Sequence, residues 1–214
     1  MFSTASVETF FPTLVWVHDV EPERAGPLNT HLLERIEALT SPLPPLEPGE
    51  GWQTEQRLHL LDDFAELVQA IGLASKQVMD FLAVDSDGFE ITGCWANMSP
   101  PGVGHRGHHH SNNYLSGVYY VQASPGADTI SFSDPRFQVE QIVPRFKEQN
   151  AHNATAHSLQ VVPGRLVIFP SWLVHRVPVN ESDELRVSIA FNVMLSDFNA
   201  TLSTPRWSGI PLNL

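Results

Sequence analysis

From residue 89 onward the chain changes its hydrophobic period, and that change limits the folds open to it. Apolar and polar residues alternate through residues 89–98, 115–122, 129–132 and 159–162, and residues 165–169, 173–179 and 185–193 are strand-like as well. A two-residue period places successive side chains on opposite faces of a strand, so these segments suit a sheet with two different surroundings. Before them the period is helical. Leu32, Leu33, Ile36 and Leu39 follow Asn29, a candidate N-cap, and predict a helix over 31–39. Phe64, Leu67, Val68, Ile71, Val78, Met79 and Leu82 mark a second stripe, capped by Asp62 or Asp63 and tolerating Gly72. Both stripes read as core packing. Residues 13–20 predict an edge strand, and the proline-rich loop 41–51, ending at Trp52, predicts an ordered cover for the barrel mouth. Helices followed by a run of strands predict a mainly β (α+β) fold, an antiparallel jelly roll with N-terminal buttressing helices.

With 214 residues and 42% hydrophobic content, one core suffices. A single domain over 1–214 is expected, with a helical part at about 26–83 and the barrel at about 88–195. The formal charge of -12 works against nucleic acid as a partner. The start of the chain lacks a basic segment followed by an apolar one, and no apolar run is long enough to span a bilayer. One cysteine, Cys94, excludes an internal disulfide. These features predict a soluble, cytoplasmic protein. The strand edges of a jelly roll make a homodimer an option, and the tail 196–214, with Trp207, is expected to pack on the barrel or on a partner subunit.

Chemistry concentrates between Gly104 and Val121, where four of the ten histidines fall within residues 105–110. His108 and His110, one residue apart on an extended segment, point to one face and can close on one metal ion. His175 is the candidate third ligand. His105 and His109 read as lying outside the set, and His152 and His157 as surface histidines. Ten residues separate His175 from Arg186 across the turn 180–184, which predicts paired strands for the two. On the second strand Arg186, Ser188, Ala190 and Asn192 share a face. Burying Arg186 there is costly unless it meets an anion, and its planar fork with the Ser188 hydroxyl suits a dicarboxylate.

These residues resemble the iron(II)- and 2-oxoglutarate-dependent oxygenases. The likeness lies in GHHHSNNYLSGVYYV, in GRLVIFPSWLVH and in a histidine followed ten residues later by RVS; more narrowly the chain resembles a bacterial and phage group with WAN, FSDPR and an HxH…H motif. It implies a double-stranded β-helix and Fe(II) with 2-oxoglutarate as cofactors. It implies His108, His110 and His175 as metal ligands, and Arg186 with Ser188 as binders of the distal carboxylate. Asn97, Asn192 and Tyr120 are implied as further cosubstrate contacts, Tyr119 being the alternative on the opposite face. Asp134 is the nearby carboxylate that would replace His110 as second ligand. Ser111 stands where the group has proline.

The activity implied is a dioxygenase that hydroxylates a small molecule or amino-acid-like substrate, with release of succinate and CO2. A halogenase leaves the carboxylate position small, which the bulky His110 argues against. Two rivals stay open: a cupin-like metal enzyme that does not use 2-oxoglutarate, for which three neutral histidines are natural, and a ligand-binding jelly roll without turnover.

Overall fold

A computed structural model describes residues 1–47 and 49–198. The expectations for Trp207 and the rest of 199–214 fall outside the described residues. Among the described residues no helix is long and apolar enough to cross a membrane.

Two helices come first after a short strand β1, Trp16–Asp19. Helix α1 spans Pro22–Thr40, starting nine residues earlier than the periodicity predicts because Pro22 occupies the first turn, where its fixed φ suits a helix. Asn29 is therefore not a cap. It lies inside α1, buried, and accepts a 2.7 Å hydrogen bond from the Tyr119 hydroxyl. Helix α2 spans Ala65–Phe81, and Asp62 and Asp63 form a 3-10 turn ahead of it without a side-chain cap bond. Leu67, Ile71 and Val78 of α2 are fully buried, whereas Leu82, just past its end, is 36% exposed.

The strands form two antiparallel sheets, the layout of a jelly roll. Besides β1 they are β2 (Trp52–Gln53), β3 (Phe89–Ser99), β4 (His105–His108), β5 (Leu115–Gln122), β6 (Thr129–Ser133), β7 (Ala156–Gln160), β8 (Arg165–Pro170), β9 (His175–Val177) and β10 (Arg186–Leu195). The larger sheet runs β1-β8-β5-β10-β3-β2 and the smaller β4-β9-β6-β7. β1 is an edge, as its short apolar run suggests. β7 starts three residues before the apolar segment 159–162, since its ladder with β6 pairs Ser133 with Ala156. Trp52, at the end of the proline-rich loop, pairs with Met98 and extends the larger sheet.

The two-residue period resolves into two cores. Val187, Ile189, Phe191 and Val193 of β10, with Tyr119, Leu166 and Ile168, meet the helices in one cluster. Tyr120, Val167 and Phe169, with Ile130, Phe132 and Leu173, form a second cluster on the opposite face. The remaining alternate positions of β10 turn into a cavity between the sheets.

One expectation about the strands is overturned. His175 and Arg186 are not on paired strands: β9 pairs with β4 and β6, while β10 pairs with β3 and β5. The segment between them crosses from one sheet to the other. Asn180, 2% exposed, braces that crossing by donating to the Ser99 carbonyl at 3.0 Å and the Glu184 carbonyl at 2.7 Å while accepting from the Ser182 N–H and hydroxyl. A turn-rich stretch of this length serves a hairpin or a crossover equally well, and the Asn180 bonds select the second.

Gly117 shows how tightly the helix-facing side is filled. A Cβ at this position would come within 2.2 Å of the Phe191 ring. Gly117→Ala is expected to cost about 1–3 kcal/mol through overpacking. A drop in thermal midpoint of several degrees, with retained strand content, would be the signature; an unchanged midpoint would show that Phe191 can swing aside.

Candidate metal centre

His108 closes β4 and its Cα partner is His175, which opens β9. Gly104 helps to set that register: a Cβ there would meet the Val177 carbonyl at 2.8 Å and the Val179 nitrogen at 2.9 Å, so the strand start lies hard against β9. His110 sits just beyond β4, tied by its N–H to the Ser171 carbonyl at 2.9 Å. The three imidazoles each have a nitrogen within 4.8 Å of the others. Their ring centroids are 4.4 Å apart for His108 and His175, 5.1 Å for His108 and His110, and 5.3 Å for His110 and His175.

Two rings have their tautomer set by the backbone. His108 Nδ1 lies 2.8 Å from the Arg106 carbonyl, and His175 Nδ1 lies 3.0 Å from the Leu173 carbonyl. A carbonyl only accepts, so each Nδ1 carries a proton and Nε2 is left as the nitrogen that can coordinate. That is the form a metal needs. Burial, aided by the neighbouring His108 and His109, pushes His110 down to about 4. Burial also brings His175 down to about 4, against the hydrogen bond to Leu173 and with the help of His108, His110 and His105. Both rings are neutral at neutral pH, ready to coordinate.

Across the cavity lies Arg186, 3% exposed. Its Nε and the Tyr120 hydroxyl are both buried and neither meets a well-aligned partner, although the guanidinium carbon sits 5.5 Å from the centre of the Tyr120 ring. Burial lowers the Arg186 pKa, opposed by Tyr120 and Asp128, and pushes Tyr120 up to about 12 against the pull of Arg186. A guanidinium still carries its charge under such a shift. A buried charge with an open donor is expensive, and a carboxylate would relieve that cost. The chemistry of the donors therefore fits iron(II) at the histidines and a 2-oxoglutarate carboxylate at Arg186.

The sheet register carries the other candidates to the same wall. Gln53 pairs with Asn97, Asn97 with Ser188, and Ser188 with Tyr120, forming one cross-strand row. Asn192 accepts a 2.7 Å hydrogen bond from Ser116, a buried tie within the sheet. Tyr119 faces the helices, so Tyr120 is the tyrosine that enters the cavity. The cavity encloses about 500 Å³ and takes in the three histidines, Arg186, Ser188, Asn97 and Asn192. Asp134 stands apart. Both of its oxygens bond the Arg136 guanidinium at 3.0 and 2.6 Å, and it is not among the groups that can close on one ion with His108 and His175.

Sequence reasoning missed Gln53, Gln56 and Asn113 on the cavity wall; His105 and His109 also line it, outside the set that can close on one ion, as expected. His105 belongs to β4 itself, at a register shift that a regular alternation does not foresee. Gln53 comes in on a two-residue strand too short to show a period.

Residues 93–192 match a family model described as "Putative 2OG-Fe(II) oxygenase", and this stretch holds all the candidate ligands and Arg186. Over this stretch, a little under half of the chain, the protein is similar to the 2OG-Fe(II) oxygenases. Solved structures of similar fold include the non-heme alpha ketoglutarate dependent epimerase SnoN from nogalamycin biosynthesis, at a TM-score of 0.62 and 12% identity over 86% of this chain and 79% of that one. A prolyl-4-hydroxylase of Pseudomonas putida has a TM-score of 0.58 and 15% identity over 86% of this chain and 93% of that one. HygX of Streptomyces hygroscopicus, with nickel and 2-oxoglutarate bound, has a TM-score of 0.58 and 13% identity over 86% and 83% of the two chains. At such identities the likeness concerns the fold. Among curated proteins no sequence matches. One of these solved structures is an epimerase and another a hydroxylase, so the shared fold does not by itself fix a reaction.

The depressed histidines make the metal-free protein sensitive to acid. His110 and His175 titrate near 4 in the folded chain against an ordinary value of 6.5, so between those values the unfolded chain takes up protons that the folded chain refuses. Their full contribution is present above about pH 6.5 and is lost as the pH falls toward about 4. Thermal unfolding of the metal-free protein across this window should show that loss. A His175→Gln variant should show a shallower slope, and an equal slope would refute the assignment.

Proposed function

We propose that the protein is an iron(II)- and 2-oxoglutarate-dependent dioxygenase that hydroxylates a small molecule, with succinate and CO2 as the other products. The observation that carries the reading is the pairing of a three-histidine cluster with a buried, incompletely partnered Arg186 on the facing sheet of one cavity. His108 and His175 hold iron through Nε2, their Nδ1 protons being engaged by backbone carbonyls. His110 supplies the third nitrogen from the chain just after β4.

Iron, when bound with 2-oxoglutarate, supplies the oxygen activation and the oxidative decarboxylation that the protein itself does not perform. The side chains position the reactants. Arg186 anchors the distal carboxylate by charge and by its open Nε–H, with Ser188 beside it in the sheet and the Tyr120 hydroxyl within the same buried end. Asn97, next to Ser188 in the register, orients the cosubstrate from the metal side, and Asn192 is held by Ser116 farther along β10. Phe169 and Phe132 lie 4.6 and 6.3 Å from the His175 ring, giving that ligand an apolar backing that excludes water. The helix-facing Cys94 is fully buried with its thiol pushed up to about 12, so it takes no part in the redox chemistry.

Anaerobic titration of the metal-free protein with iron(II) and then 2-oxoglutarate tests this assignment. A visible charge-transfer band is expected on adding the cosubstrate. Arg186→Ala should keep iron but lose at least about tenfold in 2-oxoglutarate affinity, as removing a charged hydrogen-bond partner does. Iron binding without a band would favour a cupin-like enzyme that uses the three neutral histidines on its substrate directly. Unchanged affinity in Arg186→Ala would remove Arg186 from the cosubstrate site.

A further inference from the structure

The cavity is unusual in its charge for so acidic a chain. The protein carries 24 acidic residues, yet among the described residues lining the cavity none is acidic and Arg186 is the one permanent cation. Residues 199–214 and Pro48 contain no carboxylate side chain either. Glu55, between the two wall glutamines, is exposed and does not line the cavity. Asp128, close enough to influence Arg186, already accepts from the Gly126 N–H and the Gln160 amide.

What the wall offers instead is carboxamide and indole. Gln53, Asn97 and Gln56 make no side-chain hydrogen bond to the described residues, and all three line the cavity. Gln53 and Asn97 are direct cross-strand partners. Gln56 stands over Gly93, where a built Cβ would lie 3.7 Å from its Oε1 and 3.5 Å from the Trp95 ring, so glutamine and indole flank the same point. Trp95 in turn lies 5.9 Å from the His110 ring, beside the metal centre. Its indole N–H also has no partner among the described residues.

We infer that the substrate of this site presents uncharged hydrogen-bonding groups, an amide or several hydroxyls, to Gln53, Gln56 and Trp95, and carries no ammonium group there. This rests on the oxygenase reading. A carboxamide both donates and accepts, so it matches amide and hydroxyl groups on a ligand. An ammonium group would enter with no carboxylate to pair with. It would also meet a site holding roughly one net positive charge, the metal's two and the guanidinium's one against the cosubstrate's two, because all three metal ligands are neutral. Free amino acids and amines are therefore poor substrates, and their acylated or hydroxylated counterparts are the class that fits.

The test uses protein loaded with manganese(II) and 2-oxoglutarate, and two small probes, N-methylacetamide and methylammonium. Paramagnetic relaxation of the probe methyl protons reports how often each visits the cavity, even when binding is weak. N-methylacetamide should be relaxed about tenfold more than methylammonium at equal concentration. Gln56→Glu, which changes one neutral atom group into a charge, should narrow or reverse that ratio. Equal relaxation of the two probes in the wild type, or none for either, would overturn the inference. So would a ratio that Gln56→Glu leaves unchanged. Manganese binding is read separately from the loss of the free-ion resonance. Failure to bind the ion would sink the oxygenase reading and this inference with it, whereas a bound ion with indifferent probes sinks this inference alone.

Discussion

The alternation of β10 between two environments is the constraint on which the rest depends. Val187, Ile189, Phe191 and Val193 are pressed against the helices, so Arg186, Ser188, Ala190 and Asn192 have no freedom to face anywhere but the cavity. A slip of one residue would put a guanidinium into the helix-facing core and a phenylalanine into the site. Central placement adds to this, because β10 pairs with β3 on one side and β5 on the other. The cavity wall from Gln53 to Tyr120 is thus a single register, fixed by the packing of the opposite face.

The neutrality of His110 and His175 in the candidate metal centre has its own physical basis. Burial disfavours the imidazolium form of His110 and His175, and the backbone carbonyls of Arg106 and Leu173 hold the protons of His108 and His175 on Nδ1. No carboxylate is needed to orient these rings. An ion held by these rings would keep its full charge, and Arg186 on the facing sheet adds to it. The surface of the molecule is strongly acidic while the interior of the barrel is not, and this separation gives the site a sign opposite to that of the chain.

Much of this was legible in the sequence where side chains obey a period. The long strands β3, β5, β8 and β10 announced themselves by alternation, and the inward set of β10 followed from its apolar partners. The HxH pattern and His175 were visible because histidine is sparse elsewhere in strand-like segments. What was hidden lies where the period is broken or too short. β4 reads HRGH, with no apolar residue, because its inner face is given to the site rather than to the core. β2 has two residues and follows a proline-rich loop. The placement of His175 and Arg186 in different sheets was hidden for another reason: the turn residues between them suit a hairpin, and only the bonds of Asn180 to Ser99 and Glu184 distinguish a crossing from a return.

That crossing has a geometric meaning. His175 and Arg186 are joined by one short stretch of chain that bridges the two sheets and is pinned midway by Asn180. That stretch therefore acts as a strut between the histidine end and the cationic end, tied to β3 through Ser99. Such a strut acts as a caliper. In the proposed reading it would gauge the length of a diacid held between the two ends, and lengthening or shortening it by a residue would recalibrate the gauge while leaving both jaws intact.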